Sequence, residues 1–268
     1  MQDYSKEEGG AEQSNKLVVH VGESLGFDVV GMTPQSFVPE LLLECDAVIV
    51  NNFWLFDAWQ ARTVQHALYE GRVPYVVYSH DYRDLTRPGL AGPLFAGAAL
   101  NVFISPRHKS EYERALHVPR GVAVPLAIDV DGFVPQPGVA RKPGTAVIVS
   151  PRKQGPDCKR YIQRQAGAVQ FTALGRAMPE CQHARPAQAF KNMPNIYSEF
   201  EHLVHLPRKE WAGERILFEA AMCGCKVVSN EKAGHMSWGW NLADRQFVAD
   251  ALERAPYQFW RHVEQATA

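Results

Sequence analysis

No apolar run in this 268-residue chain reaches the roughly 18 residues that an α-helix needs to cross a bilayer. Membrane-spanning helical proteins are therefore not expected. A net charge of −1 offers no global pull toward duplex nucleic acid or anionic lipid. Cysteine is sparse and odd in number, at five, which argues against a disulfide-stapled secreted scaffold and for reduced thiols. Cys181–Gln182–His183 and Cys223–Gly224–Cys225 match no common zinc spacing. The first residues are polar and acidic, unlike a secretory signal. Low-complexity blocks and solenoid periods are also missing. The expectation is a cytoplasmic globular protein that carries no metal.

What is present has ordinary globular composition, 46% hydrophobic and 21% charged. Strand-like and helix-like segments alternate, which favours parallel sheets with helical crossovers. Residues 11–26 read as a helix. Phe27–Met32, Ala47–Asn51, Tyr75–Ser79 and Leu100–Ile104 read as short buried strands, with helices over 56–70 and 106–117. Pro135, Pro137, Gly138, Pro143 and Gly144 mark a linker between Asp129 and Gly144. Beyond it, Ala146–Val149, Val169–Leu174 and Lys226–Ser229 read as strands, 156–166 and 213–223 as helices, and the C-terminal stretch as one or two helices. Ser105–Pro106–Arg107 and Ser150–Pro151–Arg152 each follow a strand. Both offer a Ser able to N-cap, a Pro suited to the first helical position and a basic helix start. Such an echo fits two similar halves, and equally fits convergent capping.

The segment from Gly213 to Asn230 carries the most information. An apolar helix opens among Glu214, Arg215 and Glu219, ends at Gly224, and passes at once into Lys226–Val227–Val228–Ser229. Glycine suits the left-handed stop of a helix. Carboxylates there are either solvated residues near a favourable helix dipole or part of a ligand site.

Arg215, Glu219, Ala220, Met222, Gly224, Val227 and Val228 together resemble the signature helix of the retaining GT-B glycosyltransferases, in particular their large fourth family of nucleotide-sugar enzymes. The resemblance implies a GT-B-like α/β fold, with two Rossmann-like domains facing across a cleft. It divides the chain into an N-terminal acceptor domain over 1–137, a donor domain over 138–250, and a last helix, 251–268, that returns to the first domain. Glu219 matches the glutamate that binds the donor ribose hydroxyls. A second acid usually stands eight positions earlier, where this chain has Trp211; Glu210 and Glu214 are the nearest acids. Lys226 replaces the usual proline.

Other segments extend the resemblance. Gly9–Gly10–Ala11–Glu12 is similar to the family's glycine loop, where free backbone N–H groups suit anions. Only eight, mostly polar, residues precede it, although the family has a strand there. Pro125–Leu126–Ala127–Ile128–Asp129 partly resembles the start of its interdomain linker. Between 141 and 164 there are seven Lys or Arg against one Asp. The family holds the donor diphosphate here, and Arg152 with either Lys153 or Lys159 would supply a bidentate fork and a point charge. Ser150 stands for the usual Gly. A solvated basic face or a nucleic-acid phosphate site is the alternative for this patch. Ser79–His80–Asp81 follows a strand, where open α/β sheets bind ligands, and the resemblance sets His80 near the donor sugar. Trp54, Asp81, His235 and Trp238 are candidates for the acceptor side or the cleft wall.

The resulting expectation is a retaining transfer of a sugar from a nucleotide-diphosphate donor to a hydroxyl acceptor, without metal or other cofactor. His80 and Arg152 are the catalytic candidates. Gly9, Gly10, Arg152, Lys153, Lys159, Glu214, Arg215 and Glu219 are the donor-binding ones. The acceptor is a saccharide, a lipid-linked sugar or a modified nucleic-acid base, the last being the least favoured at this net charge. The alternative, prompted by Trp211, Ser150 and Lys226, is a catalytically inactive GT-B-like binding or assembly subunit.

Overall fold

Short apolar runs separated by amphipathic ones fold into two parallel sheets, each in its own unit. The computed structural model describes residues 10–118 and 121–268. Of the described residues, one compact unit comprises Lys16–Leu126 with Ala255–Ala268; the other comprises Ala127–Arg254 together with Gly10–Asn15. The first helix, α1 (Gly10–Ser24), and the last, α8 (Arg245–Thr267), each contribute residues to both.

The first unit holds β1 (Val48–Asn51), α2 (Ala58–Gly71), β2 (Tyr75–Ser79), α3 (Pro88–Gly97), β3 (Leu100–Phe103), α4 (Pro106–Leu116) and β4 (Gly121–Ala123). Its sheet runs β1-β2-β3-β4, all parallel. Every residue of β2 and β3 is buried, as expected of parallel strands covered on both faces. Helix starts obey local chemistry. The Asp57 carboxylate accepts the Gln60 N–H at 2.8 Å to open α2, and the Ser105 hydroxyl accepts the His108 N–H at 3.1 Å to open α4, with Pro106 at its first position. From the end of α8, Phe259 packs on Tyr78 and Trp260 stacks on Phe27 at 4.6 Å, its indole N–H donating to Val18 O.

The second unit holds β5 (Lys142–Val149), α5 (Pro156–Gln165), β6 (Gln170–Leu174), β7 (His183–Arg185), α6 (Met193–Glu199), β8 (Phe200–His205), α7 (Arg215–Met222) and β9 (Lys226–Ser229). Its parallel sheet runs β7-β6-β5-β8-β9. The chain goes outward from β5 to β6 and β7, then returns to lay β8 against the other side of β5. The strand order therefore reverses at the β5–β8 pair, and the crevice beyond the carboxyl ends of those two strands is where such sheets bind ligands. Val147, Leu203, Leu217, Phe218 and Tyr197 lie at the centre of this unit's core. Helix α7 stops at Gly224, whose φ of +87° is the left-handed conformation that the sequence suggested.

Two expectations are corrected. Residues 27–32 form no strand: the Phe27 ring is engaged by Trp260 and Val30 is 66% exposed, so this run buries no face against a sheet. The Ser-Pro-Arg echo is also incomplete. Ser105 caps α4, but Ser150 makes no capping bond and sits at φ 54°, ψ 63°, ahead of a single helical turn over Pro151–Lys153. A left-handed non-glycine residue costs roughly 1–2 kcal/mol, so a glycine would suit this position better. Ser150→Gly is expected to raise the melting temperature by a few degrees, after the added chain entropy of glycine is offset; an unchanged or lower value in a thermal melt would contradict this.

Candidate functional site

The residues at the β5–β8 switch point are held by backbone pairing between two loops. Gly155 N donates to Leu206 O at 2.8 Å and Arg208 N to Lys153 O at 3.0 Å, so the turn after β5 is fastened to the segment after β8. Gly155 permits this closeness, because a Cβ there would lie 2.8 Å from the Arg208 Cα. The Gln154 side chain locks the junction. Its oxygen accepts the Leu206 N–H at 2.7 Å, while its amide nitrogen donates to Val149 O and to His205 Nδ1, both at 3.0 Å.

The start of α7 faces this junction. Glu214 is 5% exposed, and its carboxylate lies 3.3 Å from Lys153 Nζ and 3.7 Å from His205 Nε2. Burial opposes its charge, but His205 and Lys153 outweigh burial, and its pKa falls below the usual carboxylate value. The Glu214 N–H donates to His235 Nδ1 at 3.1 Å. Burial pushes the His235 pKa down to about 4, so the ring is neutral, with Nδ1 as acceptor and the proton on Nε2. His235 stacks on Phe218 at 4.5 Å, and Phe218 in turn on Trp240.

One helical turn on, Arg215 Nε donates to Glu219 Oε1 at 2.5 Å, and Arg215 Nη1 to the Gly10 carbonyl and the Ser14 hydroxyl. Glu219 is 2% exposed; burial pushes its pKa upward while Arg215 opposes the shift. Neither glutamate is a solvated helix residue. Trp211 packs beside them with the ammonium groups of Lys153 and Lys209 at 4.1 and 4.6 Å from its ring centre.

Lys153, Glu214, Arg215, Glu219, Gly10 and His235 thus belong to one connected cluster. Arg152 is exposed on the turn that carries Lys153. Lys159 lies on the exposed side of α5, where it pairs with Glu180 at 2.9 Å. Trp238 is half-buried against Trp240 in the same unit. Gly9 lies outside the described residues. The β1–β4 unit holds the remaining candidates: His80 meets Tyr78 edge-on at 4.2 Å, Asp81 pairs with Arg83 at 3.3 Å, and the Arg83 guanidinium lies over Trp54 at 4.2 Å. Sequence reasoning missed His205, Arg208 and Lys209. His205 ends, and Arg208 and Lys209 follow, a strand whose Glu201 and His202 break the apolar pattern, although Leu203–Val204 before Pro207 was a usable signal.

Among the described residues, no three His, Cys, Asp or Glu side chains come together to hold a metal. No described helix is long and apolar enough to cross a membrane. The sequence matches no protein-family model and no curated protein. Solved structures do resemble it. Anabaena HepE in complex with UDP superposes with a TM-score of 0.58 at 15% identity, over 81% of this chain and 71% of that one. A glycosyltransferase from Rickettsia africae gives 0.53 at 9% identity, over 92% and 87%. The lipopolysaccharide outer core galactosyltransferase WaaB gives 0.53 at 15% identity, over 81% and 73%. These neighbours are GT-B glycosyltransferases, and this chain has the GT-B fold: a mixed α/β structure built on two parallel sheets.

Proposed function

We propose that the chain is a glycosyltransferase that moves a sugar from a nucleotide-diphosphate donor to a hydroxyl acceptor with retention of anomeric configuration. The observation that carries this reading is the pair of charged contacts at the β5–β8 switch point, half-buried Lys153 with buried Glu214 and buried Arg215 with buried Glu219, in succession at the start of α7. A core has no use for so much charge, and open α/β sheets bind ligands at this place. The UDP complex of HepE, and its UDP-glucose complex, support UDP as the first nucleotide to test.

In this reading Glu219 accepts hydrogen bonds from the ribose hydroxyls. Arg152 and Lys153 neutralise the charge that builds on the departing diphosphate, an electrostatic effect supplied by preorganised cations, so that no metal is called for. The acceptor attacks on the face the diphosphate leaves. The β1–β4 unit, with Trp54 and Asp81, selects the acceptor, and His80 keeps the catalytic role that the resemblance implies. A saccharide, a lipid-linked sugar and a modified nucleic-acid base are the classes to screen.

Thermal melts with UDP, GDP, ADP, TDP and their common sugars, free of metal, test the donor half. Ligand at a hundred times its dissociation constant adds about 2.7 kcal/mol, which is a rise of roughly 5–10 °C for a protein of this size. UDP is expected to produce it, and no rise with any nucleotide would sink the proposal. The second reading, an inactive binding subunit, draws on Trp211, which stands flanked by two lysines where the resemblance implies an acid. It expects the UDP shift but no release of UDP from any UDP-sugar in the presence of the acceptor classes.

A further inference from the structure

His205 is fully buried at the end of β8, and neither the resemblance nor the donor reading gives it a task. Its tautomer is nonetheless fixed by its hydrogen bonds. The Leu206 N–H can bond only to an acceptor, so the Gln154 side-chain oxygen faces it and the amide nitrogen faces the other way. That nitrogen spends its two hydrogens on Val149 O and His205 Nδ1. Nδ1 is thereby an acceptor, and the imidazole proton sits on Nε2, which makes no hydrogen bond and has the Glu214 carboxylate 3.7 Å away, within electrostatic reach. The same carboxylate holds Lys153 Nζ at 3.3 Å, and the Glu214 N–H is held by His235.

Resting on the donor-site reading above, we infer that His205 is a positioning residue: through Glu214 it sets the place of Lys153 for the donor diphosphate. A lysine side chain is long and rotamer-rich, and it neutralises a phosphate well only when something else pins its ammonium. Here the pin is Glu214. Lys153 alone would leave that buried carboxylate under-satisfied and free to follow the moving ammonium; a second partner, rooted in the sheet through Gln154, keeps it still. The Trp211 ring lies 4.1 Å from the same ammonium, which keeps an exposed side.

The test is calorimetric titration of UDP into the full chain and its variants, with a thermal melt of each to confirm folding. The contrast is between His205→Gln, whose amide nitrogen reaches the place of Nε2, and His205→Asn, which satisfies only the Nδ1 side. H205Q is expected to bind UDP almost as the parent does. H205N should bind about tenfold more weakly, as the electrostatic hold on the Glu214 carboxylate is lost. In a Lys153→Ala background the Gln and Asn variants should be indistinguishable, because their route to the ligand is gone. Equal affinity of H205Q and H205N in the parent, or the same tenfold gap persisting without Lys153, would overturn this role while leaving the donor reading intact. If the parent chain itself binds no UDP, the donor reading and this inference fall together.

Discussion

Replacing Glu219 with alanine is expected to cost the protein both stability and its nucleotide, and a second substitution should separate the two losses. Glu219 and Arg215 form an ion pair one helical turn apart, both almost wholly buried. Removing the carboxylate leaves a buried guanidinium whose remaining partners, the Gly10 carbonyl and the Ser14 hydroxyl, carry no charge. Breaking a buried pair in this way costs about 3–5 kcal/mol, a fall on the order of 10 °C in melting temperature. Replacing both members by apolar groups of similar volume, Arg215→Met with Glu219→Leu, removes the stranded charge, and such exchanges are often neutral or better. The double variant is therefore expected to melt near the parent temperature. If Glu219 holds the ribose hydroxyls, the double variant should still show no UDP-induced shift. A double variant that regains both the stability and the shift would show that Glu219 is a structural partner of Arg215 and not a ribose ligand.

The same pair shows how far the sequence could be read. Gly213–Cys225 was legible because three signals coincide: an apolar helical stretch, a glycine that must stop it, and a β-branched strand directly after. All three are local, and the structure reproduces each. The alternative left open there was that Glu214 and Glu219 are solvated. For Glu219 what decides against it is burial beside Arg215, one turn earlier on the same helix; for Glu214 it is the packing of Lys153 and His205, which come from two other places in the chain. Non-local pairing of this kind leaves no periodicity to read. The choice between Lys153 and Lys159 was open for the same reason: both are basic residues near one strand–helix junction, and only the fastening of Lys153 to Arg208 brings one of them into the cluster with Glu214. The strand β8 was missed because Glu201 and His202 sit in it, Glu201 being drawn there by Lys226 and the Gly144 N–H. With that strand went His205. Conversely, Phe27–Met32 looked like a strand because β-branched residues raise that propensity, yet propensity reports a fit to a half-buried pleated surface, and no sheet edge receives it.

Asp84 is expected to make the protein less stable as pH rises from about 4 to 6, and Asp84→Asn should remove that loss. Asp84 is 2% exposed, in a helical turn over Tyr82–Thr86 beneath the candidate acceptor residues. Burial raises its pKa from 3.8 to about 6, against the Trp54 N–H and the Tyr112 and Ser79 hydroxyls, which favour the charged form. In the unfolded chain the carboxyl titrates at the ordinary value. Below about pH 4 it is protonated in both states; above about pH 6 it is charged in both. Between them the folded protein holds the proton that the unfolded chain has released, so each step upward favours unfolding. Two pKa units amount to about 3 kcal/mol across the window. This runs opposite to Glu199, whose pKa is lowered to about 2, first by its bond to Arg185, and whose stabilisation is lost only as pH falls through the acid range. Denaturant melts of parent and D84N from pH 4 to 7 isolate the term, since every other group cancels in the difference. The asparagine keeps the shape and never charges, so its advantage should grow with pH and level off near neutrality. Curves that stay parallel throughout would mean that Asp84 is charged in the fold at pH 4 already, held there by Tyr112 and Trp54 more strongly than burial resists. In that case the turn that follows His80 and Asp81 rests on a permanent carboxylate instead of a neutral acid.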